Sequence, residues 1–242
     1  MNAPFDWRRF DRRLFAAAAV MFPVIVVAGF ARTYYLKPYF GGPPLPGMLV
    51  HLHGMVMTLW VGFFIAQVWL IRTKNHRLHM NIGIVGVILA SLMIVIGFFT
   101  AIAAAKYGSS STPAGIDPLR FLVVPFADIV LFAIFFGGAM IYRRSPADHK
   151  RLMLLTVLNF LPPAIARFPI ASLQSLGPLV FFGLPAILTI FLLVLDTWKN
   201  RKLNKIFLGG AVILILSYPL RLIFMGTDAW LTFASWLTGL MP

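Results

Sequence analysis

The sequence predicts an all-α protein, a polytopic bundle of about seven transmembrane helices. Of its 242 residues, 60% are hydrophobic and only 12% are charged, and the hydrophobic residues stand in long blocks. A soluble domain carries about 25% charged residues, whereas a helix needs about 20 apolar residues to cross the ~30 Å hydrocarbon layer of a bilayer. The connections between the blocks are short, so we expect a single integral membrane domain over residues 1–242.

Seven apolar blocks are long enough to be membrane spans. In chain order they cover residues 14–31, 48–71, 81–105, 121–142, 152–170, 177–195 and 206–225. The shorter stretch 229–241 is expected to form a C-terminal interfacial helix, since Trp230 and Trp236 suit the headgroup level of a membrane. Pro162 and Pro163 fall inside the fifth block. Proline removes a helical hydrogen bond and clashes with the preceding turn, so we predict a kink or break there.

The distribution of basic residues predicts the orientation. Fifteen of the 21 lysines and arginines lie before the first span or in the second-to-third, fourth-to-fifth and sixth-to-seventh connections, whereas the opposite connections hold four. Cytoplasmic loops carry an excess of Lys and Arg, so we expect a multi-pass protein of the bacterial inner (cytoplasmic) membrane with its N-terminus inside. The net charge of +14 then indicates a lipid bilayer as the partner rather than nucleic acid.

Composition also excludes several kinds of chemistry. The chain has no cysteine, which rules out disulfides, thiolate metal sites and cysteine nucleophiles. It has no glutamate either, so its few acids do not support a carboxylate chain for proton pumping. The sequence contains no nucleophile motif, glycine-rich phosphate loop or paired carboxylates, and we therefore predict no catalytic residue.

Polar side chains inside the spans are the first candidates for a site. Asp128, Arg167 and Arg221 are expected at one depth in the outer leaflet, where His51 and His53 also lie. These groups could form a pocket for a metal, a haem carboxylate, a quinone head or an anionic lipid. Alternatively, Asp128 pairs with one arginine while the other snorkels to the interface. A charge at a helix centre costs about 2.5–3.5 kcal/mol, so in either case we predict that Asp128 is paired.

The run 48–57 combines thioether and imidazole groups, which together suit Cu(I). On a helix His51 faces Met55 and His53 faces Met57, each at i,i+4 spacing. The two histidines point to opposite sides, so one helix cannot gather all four groups. The alternatives are a copper site and ordinary packing, since methionine commonly fills gaps between helices.

A second histidine pair stands at two expected cytoplasmic helix starts. His79 and His149 are each followed, three positions later, by an aliphatic residue. We therefore predict that spans two–three and four–five are parallel copies of one repeat, with these histidines at equivalent places. If the two helix starts are adjacent, both imidazoles could ligate a haem iron. Otherwise each histidine is an interfacial or capping residue.

Several short runs resemble known membrane proteins. The run 149–155 (HKRLMLL) resembles the His-basic-Arg-Leu-Met signature of small bacterial multi-spanning proteins, one branch of which assists the assembly of haem–copper cytochrome oxidases. The run 78–83 (LHMNIG) is similar to their second copy, with Met-Asn in place of two arginines. The runs 51–54 (HLHG) and 219–237 resemble an uncharacterised seven-span group.

The resemblance implies a non-catalytic accessory, assembly or structural subunit of a membrane redox complex, with other membrane subunits as partners and haem or copper as the group it handles. Two alternatives remain open from the sequence. One is a membrane-embedded b-type cytochrome or redox enzyme, which the histidines would serve as ligands. The other is a small-solute transporter, which would need a polar pathway, and no helix carries a polar stripe.

Overall fold

The computed structural model describes residues 7–41, 47–109, 112–113 and 115–241, and it describes their side chains except at residues 7–16 and 19. All the regular secondary structure of the described residues is helical, with no β-strand among them, which confirms the all-α prediction. The α-helices in chain order are α1 (Trp7–Phe30), α2 (Met48–Arg72), α3 (His76–Tyr107), α4 (Pro118–Phe121), α5 (Val123–Ile141), α6 (Pro146–Asn159), α7 (Leu161–Ile165), α8 (Ala171–Ser175), α9 (Pro178–Phe181), α10 (Gly183–Asn200), α11 (Lys205–Met225) and α12 (Asp228–Gly239). A π-helix covers Ala31–Tyr35, and 3-10 turns cover Lys37–Phe40 and Tyr142–Arg144.

Five helical segments of the described chain are long and apolar enough to cross a membrane. They are Met48–Arg72, His76–Tyr107, Pro118–Arg144, Pro178–Asn200 and Lys205–Met225. They correspond to the predicted second, third, fourth, sixth and seventh spans. At 1.5 Å per residue the shortest of them measures about 32 Å, enough for the ~30 Å hydrocarbon layer. The chain is therefore a helical membrane protein by length and composition.

The predicted fifth span is not one helix. Its helical part begins earlier than expected and ends at Asn159, and α7 adds only one further turn before residues 166–170 leave the helix. Pro162 and Pro163 stand at the start of α7 and cannot donate to the carbonyls of the turn before them. The predicted break is confirmed, and the range 152–170 as a continuous span is corrected.

Helix α6 lies at the centre of the bundle. Every residue from Arg151 to Asn159 except Met153 is buried, and α6 packs against α5, α10 and α11. Many large apolar side chains of the surrounding helices point outward instead, as at Ile88, Val194 and Ile223. This pattern is typical of a bundle whose outer surface faces hydrocarbon rather than water.

Polar contacts fix the first turn of α6 at the basic end of the bundle, which we define as the end with the connections 73–75, 142–145 and 201–204. Arg151 makes a bidentate contact with Asp196 of α10, with Nε–Oδ2 and Nη2–Oδ1 distances of 2.9 and 2.8 Å. Asp148 accepts hydrogen bonds from Ser145 at 2.7 Å and from Asn204 at 2.6 Å. These two donors lower the pKa of the Asp148 carboxyl. The N-terminus of α6 is thereby tied to α10 and α11.

Helices α1 and α7 approach so closely that only glycine fits at their crossing. A Cβ atom added to Gly29 would lie 2.2 Å from the carbonyl oxygen of Ala164. Backbone atoms at this distance cannot be moved aside as a flexible side chain could. In contrast, a Cβ added to Gly62 of α2 meets nothing within 4 Å.

We predict that Gly29→Ala lowers the thermal unfolding midpoint of the detergent-solubilised protein, because the new methyl group separates α1 from α7. Gly62→Ala is the matched control, and it should leave the midpoint unchanged or raise it, since alanine favours the helix by about 1 kcal/mol. Equal midpoints for the two variants would contradict the close approach of α1 and α7.

Candidate functional site

The histidine pair His79 and His149 comes together at the basic end. His79 is the fourth residue of α3 and His149 the fourth residue of α6, so the helix starts hold the two residues at matching positions. The centres of the rings are 6.5 Å apart, and the ring planes are inclined at 81°. The two helix starts are therefore adjacent, which is the condition we set for both imidazoles to bind one haem iron. The superposition of the two hairpins as repeats stays a prediction.

The ring separation would let both imidazoles bind one metal ion, provided that their free nitrogens face each other. Imidazole nitrogens bind first-row metals at about 2.0–2.1 Å and lie about 1.2 Å from their ring centres, so opposed ligands have ring centres roughly 6.5 Å apart. The observed distance of 6.5 Å matches this value. His79 and His149 would be the residues that hold such a group, and imidazole suits both haem iron and copper.

The hydrogen bond of His149 leaves one of its ring nitrogens with a free lone pair. Its Nδ1 lies 2.8 Å from the carbonyl oxygen of Ala139 in α5. A carbonyl only accepts, so Nδ1 carries the proton and Nε2 keeps its lone pair. Metal-binding histidines commonly have this arrangement, because the second hydrogen bond fixes both the tautomer and the ring orientation.

Gln67 of α2 is a candidate site residue that the sequence analysis missed. Its Nε2 and Oε1 atoms are buried without a hydrogen-bond partner among the described residues, and so is Nδ1 of His79. The ring of His79 is close enough to the backbone of Gln67 for a weak hydrogen bond, but this contact does not have the normal distance and angle of a hydrogen bond at Nδ1. The signal in the sequence was a single amide in an otherwise apolar span, which is by default a functional candidate.

The His79–His149 pair is flanked by engaged carboxylates rather than available ones. Asp148 is bound by Ser145 and Asn204, and Asp196 by Arg151. Among the described residues, no group of three or more His, Cys, Asp or Glu side chains could hold a metal ion. A metal at this place would therefore have two imidazole ligands from the protein and no protein carboxylate.

Asp128 and Arg221 form a buried ion pair in the other half of the bundle. The Nη1–Oδ1 distance is 2.5 Å, and the two side chains are 2% (Arg221) and 9% (Asp128) exposed. Arg221 also donates to Ser217 at 3.4 Å, and Asn159 donates to the backbone oxygen of Asp128 at 2.8 Å. The prediction that Asp128 is paired is confirmed. The contacts join α5, α6 and α11.

The other predicted pocket residues make different contacts. Arg167 donates to the carbonyl oxygen of Pro163 at 2.7 Å, and its guanidinium group lies 4.8 Å from the centre of the Phe30 ring. It is also close enough to His53 for their charges to interact. The structure thus shows two local groups, one around Asp128 and Arg221 and the other around Arg167 and His53.

The four residues considered for copper diverge around α2, as their spacing predicted. His51 and Met55 are exposed on the surface of the bundle, and His53 is half-buried near Arg167. Met57 packs against the buried cluster around Trp60. These side chains share one helix but not one site.

We predict that Asp128→Asn lowers the thermal stability of the protein strongly, because it leaves the Arg221 charge buried without a counter-charge, at a cost of about 3–5 kcal/mol. Asp117→Asn is the matched control. Asp117 caps α4 by accepting from the backbone N–H of Leu119 at 2.7 Å, and asparagine caps a helix equally well. Equal unfolding midpoints for the two variants would show that the ion pair is energetically unimportant.

Comparisons with known proteins do not assign this chain to a family. No family model matches the sequence, and no curated protein or solved structure is significantly similar to it.

Proposed function

We propose that this protein is a non-catalytic accessory or assembly subunit of a membrane redox complex and that it binds haem or copper between His79 and His149. The observation that carries the proposal is the 6.5 Å separation of the two rings together with the hydrogen bond that leaves Nε2 of His149 free to bind a metal. Imidazole suits both iron and copper. The bound group would supply one-electron chemistry, and the chain would supply ligands and orientation.

The surroundings of the pair support a role in binding rather than in catalysis. The neighbouring carboxylates Asp196 and Asp148 are engaged in an ion pair and in hydrogen bonds, so neither carboxylate is available as a catalytic acid or base. The similarity of the run 149–155 to proteins that assist oxidase assembly points to the same role. His149 is the first residue of that run and is also one of the two proposed ligands.

A b-type cytochrome is the second candidate. The same paired imidazoles are suited to axial ligation of a haem that stays bound and carries electrons, and haem sites in helical bundles are built from facing helices. The two functions differ in whether the group is retained. An assembly protein releases it to a partner, whereas a cytochrome keeps it through purification.

We also propose the complete topology: seven crossings in the inner membrane of a bacterium, with the N-terminus in the cytoplasm and α12 at the outer interface. In this arrangement α6 and α7, followed by the segment that leads to α9, make the fifth crossing. The basic connections support it by the positive-inside rule. Arg8, Arg9, Arg12 and Arg13, which contribute to this bias, lie outside the described side chains. The His79–His149 pair is then on the cytoplasmic side.

We expect purified protein loaded with haem or with Cu(I) to bind one equivalent, and we expect His149→Ala and His79→Ala each to abolish stoichiometric binding, because each removes one of two protein ligands. Visible absorption spectra report haem, and a competing copper chelator reports Cu(I). His76→Ala is the control, since His76 lies at the same helix start but is exposed. Binding by neither probe, or undiminished binding by both ligand variants, would contradict the proposed function.

Reporter fusions test the topology. Fusions after residues 76, 148 and 202 should report the cytoplasm, and fusions after residues 40, 112 and 240 should report the periplasm. The fusion at 240 is the decisive one, because its side of the membrane depends on whether the broken fifth segment crosses. A cytoplasmic result there would mean six crossings.

A further inference from the structure

Gln67 lies on α2 a little more than one turn before the helix ends at the basic end. Both polar atoms of its side chain are buried and have no hydrogen-bond partner among the described residues. A buried polar group without a partner costs about 1–3 kcal/mol. The sequence retains an amide here although apolar residues fill most of the helix. Because of this cost, we expect Gln67 to form a hydrogen bond when the proposed site is occupied.

The ring of His79, on the next helix, also has a buried nitrogen without a hydrogen-bond partner among the described residues. The turn between α2 and α3 is short, and the His79 ring comes close enough to the backbone of Gln67 for a weak hydrogen bond, although no bond at Nδ1 has normal distance and angle. Of the two ring nitrogens, Nδ1 is the one that is buried without a partner. A buried donor and a buried acceptor without partners thus lie on the two helices of one hairpin, near the turn that joins them.

Comparison with His149 shows what His79 lacks. Nδ1 of His149 donates to Ala139, a residue of the preceding helix, at 2.8 Å. His79 occupies the same position in its own helix, and Gln67 lies on its own preceding helix. One imidazole of the pair is therefore fixed for metal binding, and the other has its hydrogen-bonding nitrogen still unsatisfied.

We propose that Gln67 is the positioning residue of this site. Its Oε1 accepts a hydrogen bond from Nδ1–H of His79 and directs Nε2 of that ring towards the group shared with His149. The inference rests on the proposed function, which supplies the bound group, and it extends that function by assigning the residue that completes it. Gln67 itself does not touch the metal.

The consequence of this contact is a measurable effect on the bound group. A hydrogen bond to the remote nitrogen raises the basicity of an imidazole ligand, and losing such a contact typically weakens metal binding 10–100-fold. A carboxylate at the same place accepts more strongly than an amide because it is charged. It should therefore stabilise the oxidised metal and lower the midpoint potential.

The test uses full-length protein in detergent, titrated with haem and with chelator-buffered Cu(I). Gln67→Leu keeps the size of the side chain and removes the acceptor, so we expect affinity to fall 10–100-fold. Gln67→Glu should keep the affinity and lower the midpoint potential. Gln174→Leu is the matched control, since Gln174 is the other described glutamine and is exposed; it should behave as wild type.

The outcomes separate this inference from the proposed function. If wild-type protein binds neither probe, both are overturned. If wild type binds and Gln67→Leu binds equally well, the proposed function stands and the side chain of Gln67 is not the partner of His79. If Gln67→Leu does not fold, the potential of Gln67→Glu decides, and a value equal to that of wild type overturns the inference.

Discussion

The bidentate ion pair between Arg151 and Asp196 fixes the position of α6, on which most other features of the bundle depend. Both side chains are 6% exposed, and hydrocarbon offers no water to replace either partner. Breaking such a pair by removing one member typically costs about 3–5 kcal/mol. His149 precedes Arg151 by two residues on the same helix. The pair therefore anchors the part of α6 that carries His149.

In the other half of the bundle, the buried charge of Asp128 also needs a counter-charge, and Arg221 supplies it. Asn159 donates to the backbone of Asp128 at 2.8 Å, so the last turn of α6 is attached to α5 just before the proline break. The central helix is thus held near both ends by polar contacts and along its length by apolar packing. A rigid α6 matters for the proposed function, because two ligands from different hairpins must keep a fixed separation.

The hydropathy of the sequence was sufficient to predict the five membrane-length helices of the described chain, and Pro162 and Pro163 were sufficient to predict the break in the fifth segment. The cost of an unpaired acid in hydrocarbon predicted that Asp128 would be paired. Which arginine would pair with it depended on the rotation of α11 about its axis and on the path of the chain after α7, and periodicity determines neither. For the same reason Arg167 could not be assigned to His53 and Phe30 in advance.

The contact between His79 and His149 depends on how two hairpins pack, which no local pattern specifies, although the matching helix starts suggested it. Gln67 was missed because one amide gives no periodic signal.

The central claim is that the two histidines ligate one metal centre together. X-ray absorption at the iron or copper edge of the loaded protein tests it most directly, because imidazole ligands give a countable scattering signature. The account predicts two imidazoles per metal, and one or none would contradict it.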